Sequence, residues 1–183
     1  MNICFATACY RLPDTPIGGL PIHYETLATG LVEKGHSVSV LYCDRFGQTN
    51  ATHAEGGVSF TSITFGIPPL FRKRLIGRMI KCLGISESLR FRSDSKLIAQ
   101  TIDDLHMQRR FDLIESPNNG ATLVSYLDSR KRPPSCLRIA TTDKEHTLSN
   151  TPHVTPYHKK SFEAEGATFR KCSNLVTHTL SHR

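Results

Sequence analysis

The chain has 183 residues, of which 38% are hydrophobic and 21% charged, and its formal net charge is +7. These proportions are those of one globular domain, and they exclude a disordered or fibrous chain. No apolar run approaches the ~20 residues of a membrane-spanning helix, and the first residues lack a signal-peptide pattern. We therefore expect a cytoplasmic protein whose six cysteines, none in a C-x-x-C pair, are reduced and partly buried in apolar runs (Cys4, Cys43, Cys136).

The first 43 residues predict a βαβ unit. Residues 2–8 are a short apolar run, typical of a strand covered on both faces. The next segment has apolar residues at helical spacing and ends at Gly35, a common helix stop. Residues 37–43 then predict a second strand. The helical stripe consists of Leu20, Tyr24, Leu27, Ala28, Leu31 and Val32.

The rest of the chain continues this alternation. Further strands are predicted at residues 58–65, 111–116, 135–141 and 174–178, and further helices at about 93–108, 121–130 and 157–172. Residues 47–57 and 144–156 are predicted loops. Strands alternating with helices at this spacing predict an α/β fold, a single Rossmann-like domain with a mostly parallel sheet of six or more strands and helices on both faces.

In such sheets, ligands bind beyond the carboxyl ends of the strands. The first candidate there is the pair Gly18 and Gly19, which precedes the first helix. A backbone without Cβ atoms lets a phosphate or sugar approach the free N–H groups of a helix start. The alternative is that the glycines only make the turn. Asp44 ends the second predicted strand, about where a dinucleotide-binding domain has its ribose-binding acid. However, the chain contains no G-x-G-x-x-G, which disfavours an NAD-type domain.

A second candidate lies at the tip of the fourth strand and just beyond it, at Glu115, Asn118, Asn119 and Gly120. A carboxylate and two amides at a strand end suit the hydroxyl groups of a sugar. The alternative for the asparagines is an N-cap, which we expect at one of them. An acid inside a covered sheet has no such ordinary explanation.

The third candidate is the end of the fifth strand, with Arg138, Thr141 and Asp143. An arginine inside an apolar strand either pairs with an acid or extends outward to solvent. We predict that it pairs with Glu115. No histidine or cysteine spacing in the chain predicts a metal site.

Residues 72–92, here called the basic segment, carry seven Lys or Arg and one acid. An apolar stripe opposite these cations is typical of a helix that lies on anionic lipid. The alternatives are nucleic acid, which no accompanying motif supports, and an ordinary solvated helix face. The predicted membrane contacts are Arg72, Lys73, Arg74, Arg78 and Lys81.

Taken in order, several short motifs resemble the N-terminal, acceptor-side domain of a GT-B type glycosyltransferase of the retaining family 4 group. The resemblance covers nearly the whole chain, and its strength lies in the order and spacing of the motifs. They are residues 2–10, Gly18-Gly19, His23, Leu27-Ala28, Leu31, residues 34–40, residues 111–121, Glu163 or Glu165, and residues 173–179.

The resemblance implies transfer of a sugar from a nucleotide-sugar to a glycan or lipid-type acceptor, with no cofactor and no required metal. Gly18, Gly19 and His23 would then face the donor phosphates or the acceptor. It also implies that residues 1–183 are one domain, that the donor-binding C-terminal domain is absent, and that the chain alone is inactive. The alternative is a non-catalytic Rossmann-like module that binds a sugar or a phosphorylated ligand.

Two departures from the family pattern stand out. Many members have a histidine where this chain has Glu115, near the transferred sugar. Relatives with a similar E-x-P sequence often carry a histidine after the arginine of the fifth strand, whereas here Ile139 and Ala140 follow Arg138. The polar contact that the family makes at that position is therefore in doubt for this chain.

Overall fold

The structure is a computed structural model that describes residues 1–11, 18–44, 52–65, 85–129, 132–150 and 153–177. Within these ranges the strands form one sheet in the order β3-β4-β2-β1-β5-β6-β7. The strands are β1 (Asn2–Thr7), β2 (Ser37–Asp44), β3 (Thr52–Glu55), β4 (Val58–Thr64), β5 (Leu113–Pro117), β6 (Ser135–Ile139) and β7 (Asn174–Thr177). The helices are α1 (Gly19–Glu33), α2 (Ile85–Arg109), α3 (Asp143–Asn150) and α4 (Pro156–Lys171).

All neighbouring strands are parallel except β3, which pairs antiparallel with β4. Alternate residues of β1 enter two different cores, as the two-residue period of a strand requires. Ile3 and Phe5 pack with Tyr24 and Ala28 of α1, whereas Cys4 and Ala6 pack against the α2 side. The predicted fold class, with helices on both faces of a mostly parallel sheet, is confirmed.

Helix ends follow local sequence. After α1, the N–H of His36 bonds to the carbonyl of Leu31 at 3.0 Å and the N–H of Gly35 to that of Val32 at 2.9 Å, with Gly35 at φ 81°. This is the Schellman arrangement, which confirms the predicted stop. Helix α4 begins after Thr155, whose hydroxyl accepts from the N–H of His158 at 3.3 Å.

Four predicted boundaries are wrong. Residues 52–55, predicted as loop, form β3. Helix α2 begins at Ile85 and not near residue 93, and the loop predicted at 144–156 contains α3. In place of the helix predicted at 121–130, the described residues as far as 129 form 3-10 turns at Asn119–Ala121 and Tyr126–Asp128. The predicted first residue, Ala121, has a φ of 47°, which an α-helix cannot contain.

Most of the basic segment, including all five predicted membrane contacts, lies outside the described residues. Among the residues that the structure does describe, no helix is long and apolar enough to cross a membrane.

Candidate functional site

The strand order reverses at β1, which has β2 on one side and β5 on the other. The chain runs from β1 outward to β2 and β4, then returns to β5 and continues outward to β6 and β7. At such a point the connections leave in opposite directions and open a crevice beyond the carboxyl ends of the strands. The ends of β1, β5 and β6, and the start of α1, therefore bound the candidate site.

Glu115 lies inside β5, two residues before its end, and not at the strand tip that the sequence predicted. Its register partners are Phe5 of β1 and Cys136 of β6, so its side chain shares the face of the sheet that α1 covers. Arg138 is two residues beyond Cys136 and points to the same face. The two side chains meet beneath α1.

The predicted pairing of Arg138 with Glu115 is confirmed, because Nε of the guanidinium donates to Oε1 of the carboxylate. Both residues are buried, with 9% and 6% of their surface exposed. Burial alone would lower the pKa of Arg138, but the hydrogen bond and the charge of Glu115 raise this pKa above its ordinary value. The pair places a fixed, mutually neutralising dipole near the carboxyl edge of the sheet.

Tyr24 of α1 covers this pair. Its ring packs edge-on against Phe5 with centroids 5.3 Å apart, and its hydroxyl interacts electrostatically with both Glu115 and Arg138. Burial, followed by the charge of Glu115, raises the pKa of the Tyr24 phenol. Among the described residues no hydrogen bond of good geometry reaches this hydroxyl, but the adjacent Arg138 guanidinium opposes the rise of the Tyr24 pKa.

Asn118 is fully buried at the end of β5 and both ends of its amide are engaged. Oδ1 accepts from the backbone N–H of Ala140 at 2.6 Å, and Nδ2 donates to the carboxylate of Glu165. Asn118 makes no side-chain cap bond to the turn that follows it, so its role is to join β5 to β6 and α4. Of the two asparagines at one of which an N-cap is predicted, Asn118 does not make that bond.

The other two residues of that motif have less to offer a ligand. Gly120 is buried at φ 75°, in the left-handed region, so the backbone itself requires a glycine there. Asn119 is half-buried in the same turn.

The loop between β6 and α3 carries the remaining predicted residues. Thr141 is exposed. Asp143 begins α3; its carboxylate accepts from the hydroxyl of Ser161, and its backbone N–H donates to Glu165 at 3.1 Å. Thr142 and Glu145 form a capping box at the start of α3. The N–H of Thr142 donates to the carboxylate of Glu145, and the N–H of Glu145 donates to the hydroxyl of Thr142, both at 3.1 Å.

The start of α1 differs from the start of α3. Gly18 is extended, with φ −141°, and makes no side-chain cap bond, and the first turn of α1 contains no acid. Neither Gly18 nor Gly19 has a positive φ, and among the described residues nothing lies within 4 Å of a Cβ placed on Gly19. The backbone conformation at these two positions is therefore one that other residues can also adopt.

His23 is half-buried on α1 and lines a groove of about 290 Å³ that runs along that helix to Lys34. None of the other predicted site residues that the structure describes lines this groove. The structure therefore gives His23 a setting of its own, whereas Glu115, Arg138 and Tyr24 form one cluster and Asn118, Asp143 and Glu165 another.

Four cysteines (Cys4, Cys43, Cys136 and Cys172) are buried, which confirms the expectation for the first three, and burial raises the pKa of the Cys4 thiol to about 12. In the described part of the chain, no group of three or more His, Cys, Asp or Glu side chains could hold a metal ion.

Sequence reasoning missed three contributors: Tyr24, the capping pair Thr142–Glu145, and the choice of Glu165 over Glu163. The signal for Glu165 was its position on the buried face of α4, at helical spacing from Ser161, Ala164 and Thr168. Glu163 lies on the outer face and pairs with Lys160 at 2.6 Å in solvent.

No protein-family model matches this chain, and no curated protein matches it. Among solved structures, sucrose-phosphate synthase from Thermosynechococcus elongatus is similar over 95% of this chain and 41% of that one, with a TM-score of 0.59 and 10% identity. A structure of trehalose-6-phosphate from E. coli bound with UDP-2-fluoro glucose has a TM-score of 0.49 at 12% identity, covering 98% of this chain and 40% of that one. A trehalose 6-phosphate synthase from Burkholderia multivorans has a TM-score of 0.48 at 14% identity, covering 97% and 39%.

These structural neighbours are glycosyltransferases of the GT-B fold, and the first similarity establishes a shared fold. This chain spans about 40% of their length. The narrower family 4 assignment stays a prediction.

Proposed function

We propose that this chain is the acceptor-side half of a retaining glycosyltransferase, which transfers a sugar from a nucleotide-sugar to a glycan or lipid-type acceptor. The observation that carries the proposal is the strand reversal at β1, with polar residues at the carboxyl ends of β5 and β6, in a fold shared with sucrose-phosphate synthase. A crevice lined in this way offers both donors and acceptors to the hydroxyl groups of a sugar.

Each described part of the site has a role in this proposal. The exposed backbone at Gly19 leaves room for the donor phosphates or the acceptor at the start of α1. The loop carrying Thr141 forms the other side of the crevice, and the buried Glu115–Arg138 pair supports the strand ends beside it. The donor nucleotide would be held mainly by a second α/β domain, so we expect the chain alone to be inactive. No cofactor or metal is part of the proposed reaction.

The test begins with binding. Isothermal titration calorimetry of the purified chain with UDP-glucose, glucose 6-phosphate and NAD⁺ distinguishes a sugar-transfer function from that of an oxidoreductase. We expect a sugar phosphate or a nucleotide-sugar to bind and NAD⁺ not to bind. Binding of NAD⁺ alone would reject the proposal.

Gly19→Val gives a sharper test of the glycine loop. In the part of the chain that the structure describes, nothing lies within 4 Å of the Cβ of this residue, so weaker ligand binding would indicate a clash with the ligand. Thr29→Val is the control, since Thr29 is exposed on the same helix and does not line the groove beside His23. Equal affinity in both variants and the wild type would remove Gly19 from the site.

The second candidate, a non-catalytic binding module, predicts the same binding without transfer. Joining the chain to the coding sequence that follows it, where a second α/β domain with a pair of donor-side glutamates is present, distinguishes the two. Sugar transfer by the joined protein supports the enzyme. Binding without transfer by that protein supports the module.

Peripheral contact with anionic lipid completes the proposal and is based on the sequence of the basic segment alone. We expect the chain to sediment with vesicles containing phosphatidylserine and not with neutral vesicles. Neutralising Arg72, Lys73, Arg74 and Arg78 together should abolish sedimentation. Unchanged sedimentation of that variant would exclude these residues as membrane contacts.

A further inference from the structure

Two backbone N–H groups that flank Thr141 are held by side chains from other elements. The N–H of Ala140 donates to Oδ1 of Asn118 at 2.6 Å, and the N–H of Asp143 donates to Oε2 of Glu165 at 3.1 Å. The loop between β6 and α3 is therefore anchored on both sides of one exposed residue.

Glu165 controls both anchors. Its Oε1 accepts from Nδ2 of Asn118, which turns the Asn118 amide so that Oδ1 faces Ala140. With the amide reversed, its NH₂ would meet the N–H of Ala140 and its oxygen would meet a carboxylate, and both contacts would be unfavourable. One carboxylate thus fixes the conformation of Asn118 and, through it, the end of β6.

Burying the carboxylate of Glu165 carries a desolvation cost, which its role in fixing Asn118 and the loop explains. Only 4% of its surface is exposed, and its partners among the described residues are the Asn118 amide and the Asp143 N–H, with no cation. The neighbouring positions on its face of α4 are Ser161, Ala164 and Thr168, which are small. A buried carboxylate without a cation is costly, and its presence here is explained by the fixed orientation that it gives to the two neutral groups that donate to it.

We infer that Glu165 is a positioning residue for the sugar-transfer site, acting through Asn118 and the loop that presents Thr141. This inference rests on the proposed function. It makes a separate structural statement, because the anchoring of the loop can be measured whether or not a ligand is known.

The first measurement is amide hydrogen exchange in Glu165→Ala, Glu165→Gln and Glu163→Ala, the last as a control on the exposed face of the same helix. We expect the amides of Ala140 and Asp143 to exchange about tenfold or more faster in Glu165→Ala, relative to the amide of Cys4 in β1. Glutamine keeps the oxygen at Oε1 that accepts from Asn118, so the protection of Ala140 should return. Its NH₂ replaces the Oε2 that accepts from Asp143 at 3.1 Å, so the protection of Asp143 should return only in part. Protection of Ala140 and Asp143 that is equal in Glu165→Ala and the wild type would overturn the inference.

The second measurement is the affinity for UDP-glucose and glucose 6-phosphate by titration calorimetry, at a temperature where every variant is folded. Affinity should fall about tenfold in Glu165→Ala, return in Glu165→Gln and remain unchanged in Glu163→Ala. A loosened loop with unchanged affinity would show that Glu165 supports only the fold, and would overturn its positioning role. If the wild type binds neither probe, the proposed function fails, while the exchange data still decide whether Glu165 holds the loop.

Discussion

Two carboxylates are buried near the same edge of the sheet, and they are stabilised in different ways. Glu115 is paired with the guanidinium of Arg138 beneath α1, whereas Glu165 accepts only from an amide and a backbone N–H. A paired charge is compensated in the interior, but a charge held only by neutral donors keeps much of its desolvation cost. In agreement, burial raises the pKa of Glu165 despite the bonds from Asn118 and Asp143.

The difference separates two ways of building this edge. Glu115 forms a buried ion pair that links the neighbouring strands β5 and β6. Glu165, on α4, orients the backbone of a different segment, the loop between β6 and α3. Substitutions at the first cluster should therefore act mainly on stability, and those at the second mainly on the order of one loop and on the pH dependence.

The largest effect is expected from Arg138→Met, which leaves the Glu115 carboxylate buried without its partner. The free energy of unfolding should fall by about 3–5 kcal/mol, the usual cost of an uncompensated buried charge. Urea denaturation measures it. Combining Arg138→Met with Glu115→Leu should recover most of the loss, since replacing both partners by apolar residues is often neutral.

Lys160→Met is the control for this experiment. It breaks an ion pair in solvent, since the side chain of Lys160 is 45% exposed and that of Glu163 is 65% exposed. The substitution should change the free energy of unfolding by less than about 1 kcal/mol. A double variant as unstable as Arg138→Met alone would show that the loss comes from packing around the pair and not from the stranded charge.

The next prediction concerns the pH dependence of Glu165. Because its pKa lies above the ordinary 4.5 in the folded state, the folded chain binds this proton more tightly than the unfolded chain. The contribution of Glu165 to stability should therefore fall as the pH rises from about 4.5 through the raised folded value. Relative to Glu165→Gln, the wild type should lose stability over that interval.

Urea denaturation of both proteins across this pH range measures the difference, and Glu163→Gln supplies the control with an exposed carboxylate. A stability difference that is independent of pH, or one that grows in favour of the wild type as the pH rises, would contradict the raised pKa. It would also mean that the charge of Glu165 is compensated in the folded state, as the charge of Glu115 is.

The same two clusters show what the sequence could predict. A charged residue inside an apolar strand needs a partner, so Arg138 and Glu115 could be paired from the strand pattern alone. The choice between Glu163 and Glu165 depended on the rotation of α4, which only the spacing of its buried small residues indicates. The bonds from Asn118 to Ala140 and Glu165 join residues far apart in sequence, and no local pattern predicts them.

Turn chemistry accounts for most of the wrong boundaries. The Gly56-Gly57 pair is a two-residue hairpin turn with φ values of 55° and 80°, a signal for β3 that the sequence contained. The spacing of Thr142 and Glu145 is likewise a capping-box signal for α3. By contrast, the positive φ of Ala121 has no sequence signal, because alanine ordinarily favours the helix predicted there.

A smaller effect is expected from Thr142→Ala, which removes the local cap of α3 and leaves Glu165 in place. The free energy of unfolding should fall by about 1 kcal/mol, the usual cost of losing a threonine cap. Thr142→Ser should restore it, and Ser149→Ala, at an exposed position of the same helix, should have little effect. Amide exchange should increase at Glu145, whose N–H donates to the Thr142 hydroxyl, but not at Asp143, whose N–H donates to Glu165. Loss of protection at both would mean that the cap and Glu165 act as one unit.

The smallest effect is expected from Tyr24→Phe, which tests whether Arg138 alone satisfies Glu115. The Tyr24 hydroxyl is buried beside the ion pair, and although Arg138 is adjacent, no hydrogen bond of good geometry reaches it among the described residues. Removing it should therefore leave stability unchanged or raise it by up to about 1 kcal/mol. Tyr126→Phe is a close control, because Tyr126 is equally buried, its hydroxyl also has no partner in the described part of the chain, and it packs in the other core. Thermal or urea denaturation of the two variants gives the comparison. If Tyr24→Phe is clearly less stable than Tyr126→Phe, the phenol is the third member of the Glu115 cluster, and the compensation of that carboxylate is shared between α1 and β6.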